Sequence, residues 1–292
     1  MHRGWHEFRH IPAKPCDFLH QLRGNRLPPC IRHQEHGLDA VVERPVHANH
    51  LEFIFKIRHR AQATHDHPRA NVMGAISLHA SFTVSDETVA LAGRLCDELN
   101  AVMHVHLAED GADVADAVAR GYAGPLERLM AFDALPAGSI IAHGVHLRRD
   151  QVARAADAGC WFVHNPRSNE GNRVGYARAL AATDRVALGT DGWAARMGDE
   201  EAALLRLAAA DGDDLAAVRR RRPASRDLAR ALFGAEVDGD RVARGPDGAV
   251  KTVVVAGRTL VEDGALVSGD IGRIRAEARA AADQLWARMA TL

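Results

Sequence analysis

From residue 71 onward the chain alternates between two hydrophobic patterns. Apolar runs of strand length occupy residues 72–79, 101–107, 139–143, 160–164 and 185–190. Between them apolar residues recur three and four apart, the period of a half-buried helix. In the first such stretch Ser85 is an N-cap, Asp86 and Glu87 sit in the first turn, and Val89, Ala92, Leu95, Cys96 and Leu99 form the stripe. Further helices are expected over 112–120, 125–132, 148–158 (stopped by Gly159), 174–182, 200–210 and 215–233.

The strand ends fall at His79, His106, His143, His164 and Asp191, at spacings that suit βαβ units, so the strands should be parallel with right-handed crossovers. In a parallel α/β barrel the strand ends of one sense open on one rim, where chemistry collects. Five strands ending in potential ligands favour that architecture. A dinucleotide-binding sheet is disfavoured, because no Gly-x-Gly-x-x-Gly follows a strand. Within MHVHLAED (103–110), strand alternation turns His104 and His106 to one face and Met103, Val105 and Leu107 to the other, with Glu109 just past the strand end.

The two ends of the chain read differently. Residues 1–68 hold eleven of the seventeen histidines, with no sustained period, and a helix is expected over 51–63. His65 and His67 form a His-x-His pair, but beside Pro68 and without a buried strand to hold it. Residues 236–292 carry β runs at 251–256 and 259–262, turns at Gly257-Arg258 and Asp263-Gly264, and an amphipathic helix over 271–289 with Ile274, Ala278, Ala281, Leu285 and Met289 on one side. Three parts result: an irregular segment 1–68, a barrel 69–235, and a small β appendage with a terminal helix, 236–292.

Composition narrows the function classes. A net charge of −1 offers no electrostatic case for nucleic acid or an anionic membrane, and the Arg219–Arg222 run reads as a solvated helix face. No apolar run approaches the roughly 20 residues that span a bilayer. The four cysteines lie far apart with no Cys-x-x-Cys pair, which suits a cytoplasmic protein without a disulfide framework.

The strings SLHASFTVSDET (77–88), MHVHLAED, IIAHGVHL (140–147), VHNPRSNEGNRVGYA (163–177) and LGTDGW (188–193) occur in order and resemble the amidohydrolase superfamily. The similarity is to its cytosine/guanine deaminase and chlorohydrolase-like branch, and within that to the SsnA-like aminohydrolases. It implies a (β/α)8 TIM-type barrel and a metal-dependent hydrolase of non-peptide C–N bonds, deaminating a small N-heterocycle. By the resemblance His106 is the metal-binding histidine of the fifth barrel strand and Glu109 the proton shuttle of a His-x-x-Glu motif. His143 is the sixth-strand histidine that polarises water or substrate, and Asp191 is the eighth-strand aspartate that binds the metal and takes the water's proton. Asn165, Ser168 and Asn169 lie near the substrate. The implied cofactor is a divalent metal, zinc first and iron second. His79, His104 and His164 are expected to support or line the site.

The chain also departs from the pattern. The first-strand His-x-His of the superfamily is not found, and the sequence enters the fold near the second or third strand. An incomplete barrel exposes edges, so self-association into a homo-oligomer is expected. The alternative reading is a truncated, inactive homologue.

Overall fold

The structure, a computed structural model, describes residues 72–291; the expected helix at 51–63 and the His65/His67 pair lie outside them. The described residues divide into two compact units, 72–232 and 233–291.

The first unit is a parallel sheet covered by helices. Its strands are β1 (Ala75–Ala80), β2 (Val102–Leu107), β3 (Ile140–His143), β4 (Trp161–His164) and β5 (Val186–Leu188), and they pair in chain order. All four pairings are parallel, with His104 opposite Ile140 and Phe162 opposite Val186. This is the α/β architecture expected, with β1 and β5 as the edges among the described residues. Strand-to-strand links run through α1 (Asp86–Glu98), α2 (Gly111–Ala119) and α3 (Pro125–Met130), then α4 (Arg149–Asp157), then α5 (Pro166–Gly171) and a 3-10 turn (Arg178–Ala182). After β5 come α6 (Met197–Asp211), α7 (Leu215–Arg219) and α8 (Arg221–Phe233).

The alternation in β2 sets the two sides of this sheet. Met103, Val105 and Leu107 are fully buried and join Ile141, Phe162 and Val186 in one core with α1 and α4. Each such side chain contributes roughly 1.5–3 kcal/mol. His104 and His106 face the other way, as the period of two requires. In α1 the Ser85 hydroxyl accepts from the Thr88 N–H at 3.3 Å, and Val89, Ala92, Leu95 and Cys96 bury the expected stripe. Gly93 lets this helix press on the Phe132 carbonyl, where any Cβ would collide.

Several expectations in this unit are adjusted: the helix expected over 215–233 is broken at Arg220, and the strand expected over 185–190 is only Val186–Leu188. The first strand starts at Ala75, three residues later than its apolar run. Of the helix expected over 174–182, only the 3-10 turn Arg178–Ala182 forms, because Gly175 takes φ +109° and Tyr176 is drawn aside to donate to Asp213.

The second unit is an antiparallel sheet, β6 (Arg241–Arg244), β7 (Val250–Val255), β8 (Arg258–Glu262) and β9 (Ala265–Leu266), followed by α9 (Ile271–Met289). The β7–β8 hairpin turns on Ala256 and Gly257, both at positive φ, one residue earlier than expected, so Arg258 already pairs with Val255. The β8–β9 hairpin turns on Asp263-Gly264 as read. Asp270 caps α9 by accepting from the Gly272 and Arg273 N–H groups. The apolar stripe of α9 is present in sequence but not buried: Ile274, Leu285, Trp286 and Met289 are all exposed.

Candidate active site

The carboxyl ends of β2, β3 and β5 converge. The His106 and His143 rings lie 5.3 Å apart, and His143 Nε2 is 3.5 Å from Glu109 Oε2 and 4.0 Å from Asp191 Oδ2. Three residues here leave the strand through left-handed backbone: Ala108 at φ +52°, His143 at +70° and Asp191 at +50°. Such conformations are uncommon away from glycine and cost free energy that the surroundings must offset. At His143 the turn swings out a side chain that strict alternation would send to the core beside Ile141.

Each group is held by a named partner. His106 Nδ1 lies 2.5 Å from the His79 carbonyl oxygen; a carbonyl only accepts, so Nδ1 carries a proton, and in the neutral ring this leaves the lone pair on Nε2, the tautomer a metal ligand requires. His143 Nδ1 is 2.8 Å from Asn169 Oδ1 and donates to it. Its buried Nε2 has no hydrogen-bond partner and faces two carboxylate oxygens, so a proton, a water or a cation must sit among them. Ser168 Oγ donates to Asp191 Oδ2 at 2.6 Å. Burial pushes the Asp191 carboxyl up, but the Ser168 hydroxyl, the facing His143 ring and the Gly192 N–H outweigh it and hold the group below its usual range. Asp191 is therefore ionised at neutral pH, as a metal ligand must be.

A deeper layer fixes these loops. Asp113 in α2 is buried and accepts from Ala108 N (2.7 Å) and Phe82 N (3.1 Å), which ties the exit of β2 to the segment after β1. Arg167 in α5 pairs with the fully buried Glu200 and donates to the Ala194 carbonyl at 2.7 Å, holding the loop that follows Asp191. Asn165 is buried against Gly189, where a Cβ would come within 2.5 Å of its Oδ1.

His164, at the end of β4, belongs to a separate buried cluster. Arg221 Nη1 donates to its Nδ1 at 2.7 Å, Tyr176 meets the ring edge-on at 5.4 Å, and Tyr176 Oη donates to Asp213 Oδ2 at 2.8 Å. Burial, and after it the Arg221 charge, push the His164 pKa well below its usual value. The folded value lies below the unfolded one, about 6.5. Stability from this group is thus complete above pH of about 6.5 and falls with decreasing pH, by up to about 1.4 kcal/mol per unit, until the folded pKa is passed. Urea titrations at several pH values should show this slope in the parent and its loss in His164→Gln. Equal slopes would show that His164 is not held neutral.

The structure thus brings His106, Glu109, His143 and Asp191 together, with Ser168 and Asn169 bonded to them. His104 shares the face of His106, with ring centroids 6.5 Å apart. Sequence reading missed Asn172, whose Nδ2 donates to Glu109 Oε1 at 2.9 Å. Its spacing of four from Ser168, one helical turn, was the available signal.

A divalent ion would find two donors in place, the His106 Nε2 lone pair and the ionised Asp191 carboxylate, beside the orphaned Nε2 of His143. Among the described residues no group of three or more His, Cys, Asp or Glu side chains is arranged to hold a metal by itself. The donors present fit such an ion as part of a ligand set. Also among the described residues, no helix is long and apolar enough to cross a membrane.

Comparison with known proteins agrees with this geometry. A 5-methylthioadenosine/S-adenosylhomocysteine deaminase of Haloquadratum walsbyi is 32% identical over 198 residues, 65% of this chain and 43% of that protein. A 5'-deoxyadenosine deaminase of Methanoregula boonei is 33% identical over 129 residues, 43% of this chain and 29% of that protein. The chain therefore spans less than half the length of these relatives. Among solved structures, an adenosine deaminase from Xanthomonas campestris with bound zinc superposes with a TM-score of 0.69 at 28% identity, covering 80% of this chain and 62% of that one. A mutant of the atrazine chlorohydrolase TrzN from Arthrobacter aurescens shares the fold, with a TM-score of 0.63 at 20% identity over 78% of this chain and 60% of that one. The amidohydrolase family pattern matches residues 31–233, and with parallel strands delivering His106, His143 and Asp191 to one rim, the chain belongs to the amidohydrolase family.

Proposed function

We propose that this chain is a metal-dependent hydrolase that removes the exocyclic amino group of an adenine-type heterocycle, with zinc as the metal and iron as the second choice for the same nitrogen and oxygen donors. The observation that carries the reading is the convergence of His106, Glu109, His143 and Asp191 within hydrogen-bonding range of one small space. The deaminase names of the relatives support the substrate class.

His106 Nε2 and Asp191 would hold the ion. When bound, it supplies a water acidified from a pKa of 15.7 toward roughly 7. The remaining work falls to side chains. Glu109, whose Oε1 is engaged by Asn172, is free at Oε2 to take the water's proton and pass it to the departing nitrogen. His143, locked by Asn169, presents Nε2 toward the same oxygen and can polarise the attacked carbon's ring nitrogen or the water. Asp191 remains an anion under the Ser168 hydroxyl, so one carboxylate stays charged while the other shuttles. In this reading residues 69–235 form the catalytic part, Asn165, Ser168 and Asn169 line its substrate side, the partner is a small molecule, and the sheet edges that β1 and β5 form among the described residues favour a homo-oligomer.

The test is ammonia release from 5'-deoxyadenosine and adenosine by the full chain after stoichiometric zinc loading. Steady release that stops on chelation is expected. Zinc binding without release from any amino-purine would instead favour an inactive homologue.

A further inference from the structure

Asn172, at the end of α5, holds more of this site than its distance in sequence suggests. Its Nδ2 lies 2.9 Å from Glu109 Oε1 and 3.4 Å from Ser168 Oγ. Ser168 has one hydroxyl hydrogen, which at 2.6 Å goes to Asp191 Oδ2, so its oxygen is left to accept. Both hydrogens of the Asn172 amide are then used, one toward Glu109 and one toward Ser168. One short helix so contacts three of the four clustered groups: Ser168 reaches Asp191, Asn169 reaches His143, and Asn172 reaches Glu109.

We propose that Asn172 is a positioning residue that makes the Glu109 carboxyl asymmetric, reserving Oε1 as an acceptor and leaving Oε2, 3.5 Å from His143 Nε2, as the oxygen that carries the shuttled proton. This deepens the deaminase reading and rests on it for the role of Glu109. A proton on Oε1 would oppose the Asn172 N–H and forfeit that bond, so the O–H bond forms at Oε2. The same bond breaks when the proton passes to the leaving nitrogen, and Glu109 ends as it began. An amide suits the position because it gives two hydrogens and does not ionise. Aspartate has nearly the same shape but offers Glu109 and Ser168 only acceptors.

That difference supplies the test. In the zinc-loaded full chain acting on 5'-deoxyadenosine, Asn172→Ala should lower kcat roughly 10- to 100-fold with KM little changed. Asn172→Asp should lower it further. A packing role gives the reverse order, because aspartate fills the space that alanine leaves. An Asn172→Asp variant as active as the parent, or a loss confined to KM, would overturn the proposal. The second arm needs no turnover: nitrogen-15 NMR of the metal-free full chain, with the Asn172 side-chain amide assigned by its loss in Asn172→Ala. One amide proton should move in Glu109→Gln and the other in Ser168→Ala, and two unmoved resonances would refute the hydrogen-bond assignment. A parent chain that releases no ammonia would count against the deaminase reading, and the NMR arm would then decide on Asn172 alone.

Discussion

Glu109→Gln is expected to lower kcat for 5'-deoxyadenosine by roughly 10²- to 10⁴-fold while leaving zinc content unchanged. Glutamine matches glutamate in shape and still accepts from Asn172 through its carbonyl, so the loop after β2 should stay in place. What it lacks is a carboxylate oxygen that can take up a proton and hand it on during turnover. Glu109 has that oxygen in Oε2, partly open to solvent and facing His143 Nε2. Because Glu109 is not assigned as a metal donor, zinc per chain separates its role from those of His106 and Asp191. A variant that keeps more than a tenth of the parent kcat would remove Glu109 from the proton path. One that loses zinc along with activity would make it a ligand.

Arg128→Ala should destabilise the fold by about 3–5 kcal/mol, read as a fall in the urea midpoint at unchanged slope. Arg128 lies in α3 with its side chain completely buried. Its Nε donates to Asp86 Oδ1 at 2.8 Å, Nη2 donates to the Val84 carbonyl at 2.8 Å, and Nη1 donates to the Ser81 carbonyl. Truncation removes the donor that those carbonyls share and leaves a void where the fully buried side chain stood. The Asp86 carboxyl loses the partner that, with Tyr122, holds it below its usual range against the opposing effect of burial. Lysine keeps the charge but not the fork, so Arg128→Lys should recover only part of the loss. A cost under about 1 kcal/mol for Arg128→Ala would mean that water replaces the guanidinium. The site would feel the parent interaction indirectly, since Arg128 braces the segment 81–84 whose Phe82 N–H is bonded to the same Asp113 that pins Ala108.

The sequence made the first unit legible because its signals are periodic. The stripe Val89, Ala92, Leu95 and Cys96 and the alternation across 102–107 each repeat often enough to outweigh local exceptions, and both recur in the structure. The strand ends at His143 and His164 were legible for a related reason: a polar residue closing an apolar run marks the rim. What the pattern hid depends on single residues. The positive φ at His143 decides which side of the sheet its ring takes, and no period encodes it. Gly175 breaks the helix expected over 174–182. Arg221, read as one of a solvated arginine run, is instead buried and clamps His164, a partner that lies 57 residues earlier in the chain. Asn172 escaped notice for the same reason, since Glu109 lies 63 residues earlier.

The stripe on α9 shows the opposite limit. Its period predicts a helix, and a helix forms over Ile271–Met289, but amphipathicity does not say what the apolar side meets, and here that side is exposed.

His106 and Asp191 are expected to act as ligands to one ion. Zinc K-edge X-ray absorption on the full chain, loaded with one equivalent and dialysed, tests this most directly. The expected spectrum has nitrogen and oxygen scatterers at about 2.0–2.2 Å with the outer-shell signature of imidazole. That signature should weaken in His106→Ala, and the oxygen contribution should change in Asp191→Ala. Spectra that are identical in the parent and both variants would place the zinc elsewhere and contradict the account.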